Sequence, residues 1–143
     1  MKHLLIITLL LLSGIACSSD NEALPDPDLP LSVQVDLLID QNRYEQALSL
    51  LAGEDREDPG IRLALEKTHL NYALYSMNTF DQTEMRTRMN NALIHFAEVL
   101  KLNPNNIVAA EQIGQILSIY EMIPGRSPDP EVMKQLRELG FGL

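Results

Sequence analysis

Three groups of side chains have the chemistry for more than surface duty: His69 with His95, the run Glu54–Asp55–Arg56–Glu57–Asp58, and Cys17, the sole cysteine in 143 residues. Imidazoles ligate metals or carry protons, but these two stand apart in sequence, with no second cysteine and no His-x-x-x-His spacing to complete a metal set. They are expected to be partly buried helix histidines. The acidic run lacks the alternating ligand positions of a calcium loop, so a solvated turn is expected there. Met77, Met85, Met89, Met122 and Met133 could supply an adaptable surface, yet their helical spacing places most of them in a core. No glycine-rich phosphate loop occurs, and neither a Ser-His-Asp nor a Cys-His arrangement has supporting context. The expectation is therefore a protein without catalytic residues, cofactor or metal.

Cys17 asks for a different explanation, because a lone cysteine forms no internal disulfide. Before it come a short positive start at Met1–His3 and the run Leu4–Leu12, in which Thr8 is the one non-aliphatic residue. Nine residues are too few to span a bilayer but suit a signal-peptide core. The sequence Ser13–Gly14–Ile15–Ala16–Cys17 then resembles a bacterial lipobox, although Gly14 stands where leucine is usual. The resemblance implies cleavage before Cys17, diacylglycerol on its thiol, and a membrane anchor made essentially permanent by two or three acyl chains. The competing reading is an ordinary secretory signal cut after Ala16, which leaves Cys17 a free thiol. Ser18 and Ser19 follow in place of aspartate; by the sorting pattern of such lipoproteins, this implies the outer membrane of a bacterial cell envelope.

Net charge bounds the partners. The whole chain carries −9, and without Lys2 the part after the leader carries −10. An acidic chain with no basic run is a poor fit to nucleic acid or anionic lipid. Three segments result: a leader over 1–16, a Pro/Asp-rich tether over 17–30 with Pro25, Pro27 and Pro30, and a folded part over 31–143.

Apolar spacing in the folded part is helical throughout, and no segment keeps the alternation of a strand. The expected class is all-α, with helices near 31–41, 44–52, 61–77, 82–101, 107–122 and 131–139. Asp81 and Glu84 have capping-box spacing, with Phe80 and Met85 placed for a hydrophobic staple. Asp129–Pro130 opens the last helix, and Gly140–Phe141 has the signature of a Schellman close.

Self-comparison reveals a repeat. Tyr44–Ala47–Leu51 with Pro59 aligns with Met89–Ala92–Phe96 with Pro104, and His69 and Tyr72 align with Gly114 and Leu117. The block Ala92–Asn106 resembles the second helix and connecting turn of a tetratricopeptide repeat, and Ile113–Gly114 falls where the next repeat carries a large–small pair. Ala47 and Ala92 would let antiparallel helices approach, with Phe96 and Tyr72 filling the space beside them. The two prolines lie 45 residues apart where the repeat has 34; the surplus lies between Tyr72 and Met89 and would lengthen one hairpin by about three turns. The resemblance covers about Leu31–Leu117 and implies a short α-solenoid of about two and a half repeats, with the 131–139 helix as a C-terminal cap over the 107–122 helix. A plain irregular helical bundle is the competing reading.

Arrays of this kind hold a peptide or helix of a partner on the concave side lined by their first helices. On that pattern Leu63, Glu66, Leu70 and Leu74, with Glu111, Gln115 and Ile119, are the expected partner-binding residues, while Leu65, Tyr72 and Leu117 point inward. The bland alternative leaves Leu70 and Leu74 in an ordinary core. The implied role is a membrane-anchored scaffold or interaction subunit of an envelope assembly or secretion complex. An accessory subunit of a surface nutrient-uptake complex, or a small ligand-binding or enzymatic lipoprotein, are the alternatives.

Overall fold

The computed structural model describes residues 23–79 and 83–142, which contain six α-helices and no strand. The all-α expectation holds. The leader, Cys17 and the start of the tether lie outside the described residues, as do Phe80 and Asp81 of the expected staple and capping box.

The first pair is α1 (Leu31–Asp40) and α2 (Tyr44–Leu51). Val35, Leu38 and Ile39 of α1, at i, i+3 and i+4, are buried against Tyr44, Ala47 and Leu51 of α2 and Leu65 of the next helix. A Schellman motif closes α1. The Arg43 amide donates to the Leu38 carbonyl, the Asn42 amide to that of Ile39, and Asn42 takes φ 59°. Asparagine tolerates that left-handed position, so the chain reverses in three residues.

The second pair is a long hairpin of α3 (Pro59–Asn78), 20 residues, and α4 (Met85–Leu102), 18 residues. Between Tyr72 and Met89, α3 continues to Asn78 and α4 begins at Met85. α3 starts two residues earlier than the apolar period suggests, because Asp58 caps it. Its carboxylate accepts from the Gly60 and Ile61 amides at 2.7 and 3.1 Å, and Pro59 occupies the first turn, where its missing N–H costs nothing. α4 starts three residues later than expected, with Glu84 at the cap position and no side-chain cap.

α4 is the central helix. Ala92, Leu93, Phe96, Ala97, Val99 and Leu100 are all buried, on more than one side, because α3, α5 (Ile107–Glu121) and α6 (Pro130–Glu138) all pack against it. The larger core gathers these residues with Ala73 of α3, Ile113, Ile116 and Leu117 of α5, and Val132, Met133 and Leu136 of α6. The expected last helix forms and closes as read: Phe141 N–H donates to Leu136 O and Gly140 N–H to Arg137 O, with Gly140 at φ 90°. Its seat differs from expectation. α6 takes α4, and not α5, as its main neighbour, since its entry is tied to α4 by the Asp129 amide on Asn90 Oδ1 (3.0 Å) and by the Arg86–Asp129 ion pair (2.7 Å). Among the described residues no second helix closes on Gly114, where an added Cβ would meet nothing within 4 Å.

Candidate functional site

Exposed apolar side chains within the helices fall on three of the six. Within the described helices the large ones are Val33 and Leu37 on α1, Leu63 and Tyr75 on α3, and Ile107 and Val108 on α5; α2, α4 and α6 contribute none. Leu63 is 65 % exposed and Ile107 71 %, values that no core position shares. Polar links bring these odd-numbered helices together. Lys67, one turn after Leu63, pairs with Asp36 of α1 at 2.8 Å. Glu66 accepts from the side-chain amides of Asn103 and Asn106, both at 2.8 Å, and Arg62 donates to the Leu102 carbonyl. Asn106 also caps α5 by accepting from the Ala109 amide at 2.9 Å. Side chains one turn apart on α3 thus fix where α5 begins.

The structure separates the residues expected on the partner face. Leu63, Glu111 and Gln115 are open to solvent. Glu66 is half-buried and committed to the α4–α5 turn. Leu70 and Leu74 are half-buried and pack on the larger core. Ile119 is half-buried on the wall of a cleft between the start of α4 and the end of α5. Of the residues expected inward, Leu65 and Leu117 are buried, and Tyr72 is half-buried at the seam between the pairs.

That seam holds an arrangement the sequence reading did not connect. His69 of α3 and His95 of α4, 7 % and 9 % exposed, meet with Nδ1 atoms 2.9 Å apart. One Nδ1–H donates and the other Nδ1 accepts, so the contact survives only while the pair lacks at least one proton. Tyr72 stacks on His95 (centroids 4.1 Å apart), Tyr44 of α2 stacks on Tyr72 (5.0 Å), and Tyr75 leans on Tyr44 (5.5 Å). Five rings from three helices form a continuous ladder, with the Tyr72 hydroxyl donating to Glu45 at 3.1 Å. Burial drives the chemistry of the pair. Loss of hydration pushes the His95 pKa down to about 4, helped by the neighbouring His69 and opposed by Glu98. Burial likewise lowers His69, with Glu98 opposing and Arg56 and Lys101 assisting. Burial raises Tyr44 and Tyr72, and Glu45 adds to the rise at Tyr72.

The pair belongs to the fold at least as much as to any site. Glu66 turns away from His69 toward Asn103 and Asn106, and no group of three His, Cys, Asp or Glu able to hold a metal occurs among the described residues. The register of the hairpin was the available signal: His69 lies nine residues before the end of α3 and His95 ten after the start of α4, so antiparallel helices bring them level. No described helix is long and apolar enough to cross a membrane.

No protein family, curated protein or solved structure matches the chain.

Proposed function

We propose that this chain is a lipid-anchored, tetratricopeptide-like interaction module of a bacterial cell envelope, which holds a protein or peptide partner on the face of α1, α3 and α5. The observation that carries the reading is the segregation of exposed apolar side chains onto those three helices. Isolated exposed leucines need no explanation, but such side chains sorted onto alternate helices leave a surface that gains from being covered. The helix order supports the repeat reading. α1 packs on both α2 and α3, α2 on α3, and α4 on both α3 and α5, which is how stacked pairs contact their neighbours. The anchor rests on the leader and Cys17. An anchored array needs no catalytic group, since its work is to keep a partner at the membrane at high local concentration.

Two substitutions separate anchor from surface. Cys17→Ser should release the protein from the membrane fraction and remove the acyl mass from its N-terminus. Leu63→Glu with Ile107→Glu should leave membrane attachment and melting unchanged but abolish co-purification of the partner from solubilised membranes. Cleavage after Ala16 with no acyl mass in the wild type would sink the lipoprotein reading. Undiminished partner recovery by the double variant would sink the surface.

A further inference from the structure

The described part of the Pro/Asp-rich segment before α1 is docked on the domain. Asp26–Pro27–Asp28–Leu29 forms a turn. The Leu29 amide donates to the Asp26 carbonyl at 3.1 Å and the Asp28 amide to the Asp26 carboxylate at 3.0 Å, with Pro27 at the second position, which its fixed φ suits. The turn sends the preceding residues back along α1. Gln34, near the start of α1, donates its side-chain amide to the Leu29 carbonyl at 2.7 Å and to that of Pro27 at 3.4 Å, and Pro25 and Leu29 are half-buried. Just past the other end of α1, Arg43 donates to the Ala23 carbonyl at 3.0 Å.

Ala23 is thereby returned to one defined end of the molecule. That end gathers the α1–α2 turn, the last turn of α3 (Tyr75 against Tyr44, centroids 5.5 Å apart), the first turn of α4 and the entry to α6 (Arg86 with Asp129, 2.7 Å). The 20 residues of α3, about 30 Å of helix, separate it from the opposite end. There Arg62 holds the Leu102 carbonyl, and the acidic run 54–58 makes the turn into α3.

Chain length turns this docking into an orientation. A free tether from Cys17 to Leu31 would have 14 residue steps, or up to ~50 Å, enough for either end to touch a bilayer. With Ala23 docked, six steps remain, or at most ~22 Å. The inverted orientation would hold Ala23 about 30 Å from the headgroups, beyond that reach. A chain of net charge −9 with no basic run also lacks the electrostatic attraction that would lay it flat on anionic lipid.

We propose that segment 23–30 is a strut that stands the anchored domain on the bilayer, with the α1–α2 turn and the start of α4 toward the phospholipid headgroups and the acidic 54–58 turn pointing away. The inference rests on the lipid anchor at Cys17 proposed above. The α1–α3–α5 face then rises from the bilayer along its helices, and a partner meets it from the side.

The test is amide NMR of the full chain, expressed in bacteria and placed in phosphatidylcholine nanodiscs that carry a gadolinium-chelate lipid. The acyl mass at Cys17 is measured first. Its absence would refute the anchor alone, and a maleimide phospholipid coupled to this sole cysteine then tests the strut separately. The amides of Asn42, Arg43 and Arg86 should lose their signals to the gadolinium lipid, while those of Asp55, Glu57 and Asn105 keep theirs. Gln34→Ala with Arg43→Ala unties the segment and should equalise the losses at the two ends without lowering the melting temperature. Asp26→Ala with Pro27→Gly breaks the turn from outside the helices and should act alike, so the outcome does not hang on one variant's folding. Equal losses at both ends of the wild type, or a contrast that survives untying, would overturn the proposal.

Discussion

Acid should weaken this fold through the buried histidine pair. In the unfolded chain His95 titrates near 6.5, whereas in the folded protein its pKa lies at about 4. Between those values the unfolded state binds the extra proton, so stability rises with pH across the interval. The stabilisation is complete above about pH 6.5 and disappears as pH falls to about 4. Each pKa unit is worth ~1.36 kcal/mol, so the full interval represents ~3 kcal/mol, of which ~2 kcal/mol is lost between pH 7.5 and 5. His69, also lowered by burial, acts in the same direction. Against a typical stability of ~5–15 kcal/mol this is a large fraction. Urea unfolding followed by far-ultraviolet circular dichroism at pH 7.5, 6.5, 5.5 and 5.0 measures it; a urea slope of ~1–3 kcal/mol/M makes the midpoint fall by roughly 1 M. The control is His69→Leu with His95→Phe, which retains apolar volume and removes both titrating groups. Its midpoint should stay nearly flat over the same range. Equal pH slopes in the two proteins would show that the carboxylates, not the pair, govern acid sensitivity, and the argument from burial would be wrong.

Deleting Asp129–Leu143 removes Val132, Met133 and Leu136 from the larger core. At ~1.5–3 kcal/mol each the loss is roughly 5–9 kcal/mol, so the truncated protein should aggregate or lose its cooperative melt in calorimetry. Asp58→Ala leaves two amides at the start of α3 without their acceptor and should cost ~1 kcal/mol, lowering Tm by about 4 °C. Leu63→Glu should change stability by less than ~0.5 kcal/mol, whereas Leu74→Glu, which puts a carboxylate against the core, should cost well over ~1 kcal/mol in chemical denaturation. Similar costs at the two positions would erase the distinction between face and core.

The helices were legible because each announces itself locally. The period of Val35, Leu38 and Ile39, the turn residues after each helix, and Gly140–Phe141 require no knowledge of the rest of the chain. The start of α3 was misplaced although its signal was present: Asp58–Pro59 is the same cap-and-proline pair that marks α6 at Asp129–Pro130. Pro59 was matched with Pro104 by spacing alone, but Pro59 lies inside the first turn of α3 while Pro104 precedes the Asn106 cap of α5. Equal spacing along the chain therefore conceals unequal places in the fold. Tertiary relations were harder to read. The meeting of His69 with His95 depends on hairpin register, the shift of α6 onto α4 depends on Asn90 and Arg86, and the cleft exists only once the 123–129 loop has folded back. Leu70 and Leu74 share a helical stripe with Leu63, yet they pack on the core while Leu63 is solvated. One helix face passes from surface to core along its length, and periodicity does not distinguish the two ends.

The central claim is that α1, α3 and α5 present the partner-binding face, and site-specific photo-crosslinking in the native envelope tests it most directly. A photoreactive residue would be placed in turn at Val33, Leu63, Ile107 and Gln115 on that face, and at Lys134 and Arg137 on α6. The account predicts one common adduct from the first four positions and none from α6. Adducts distributed equally over both sets, or confined to α6, would contradict it.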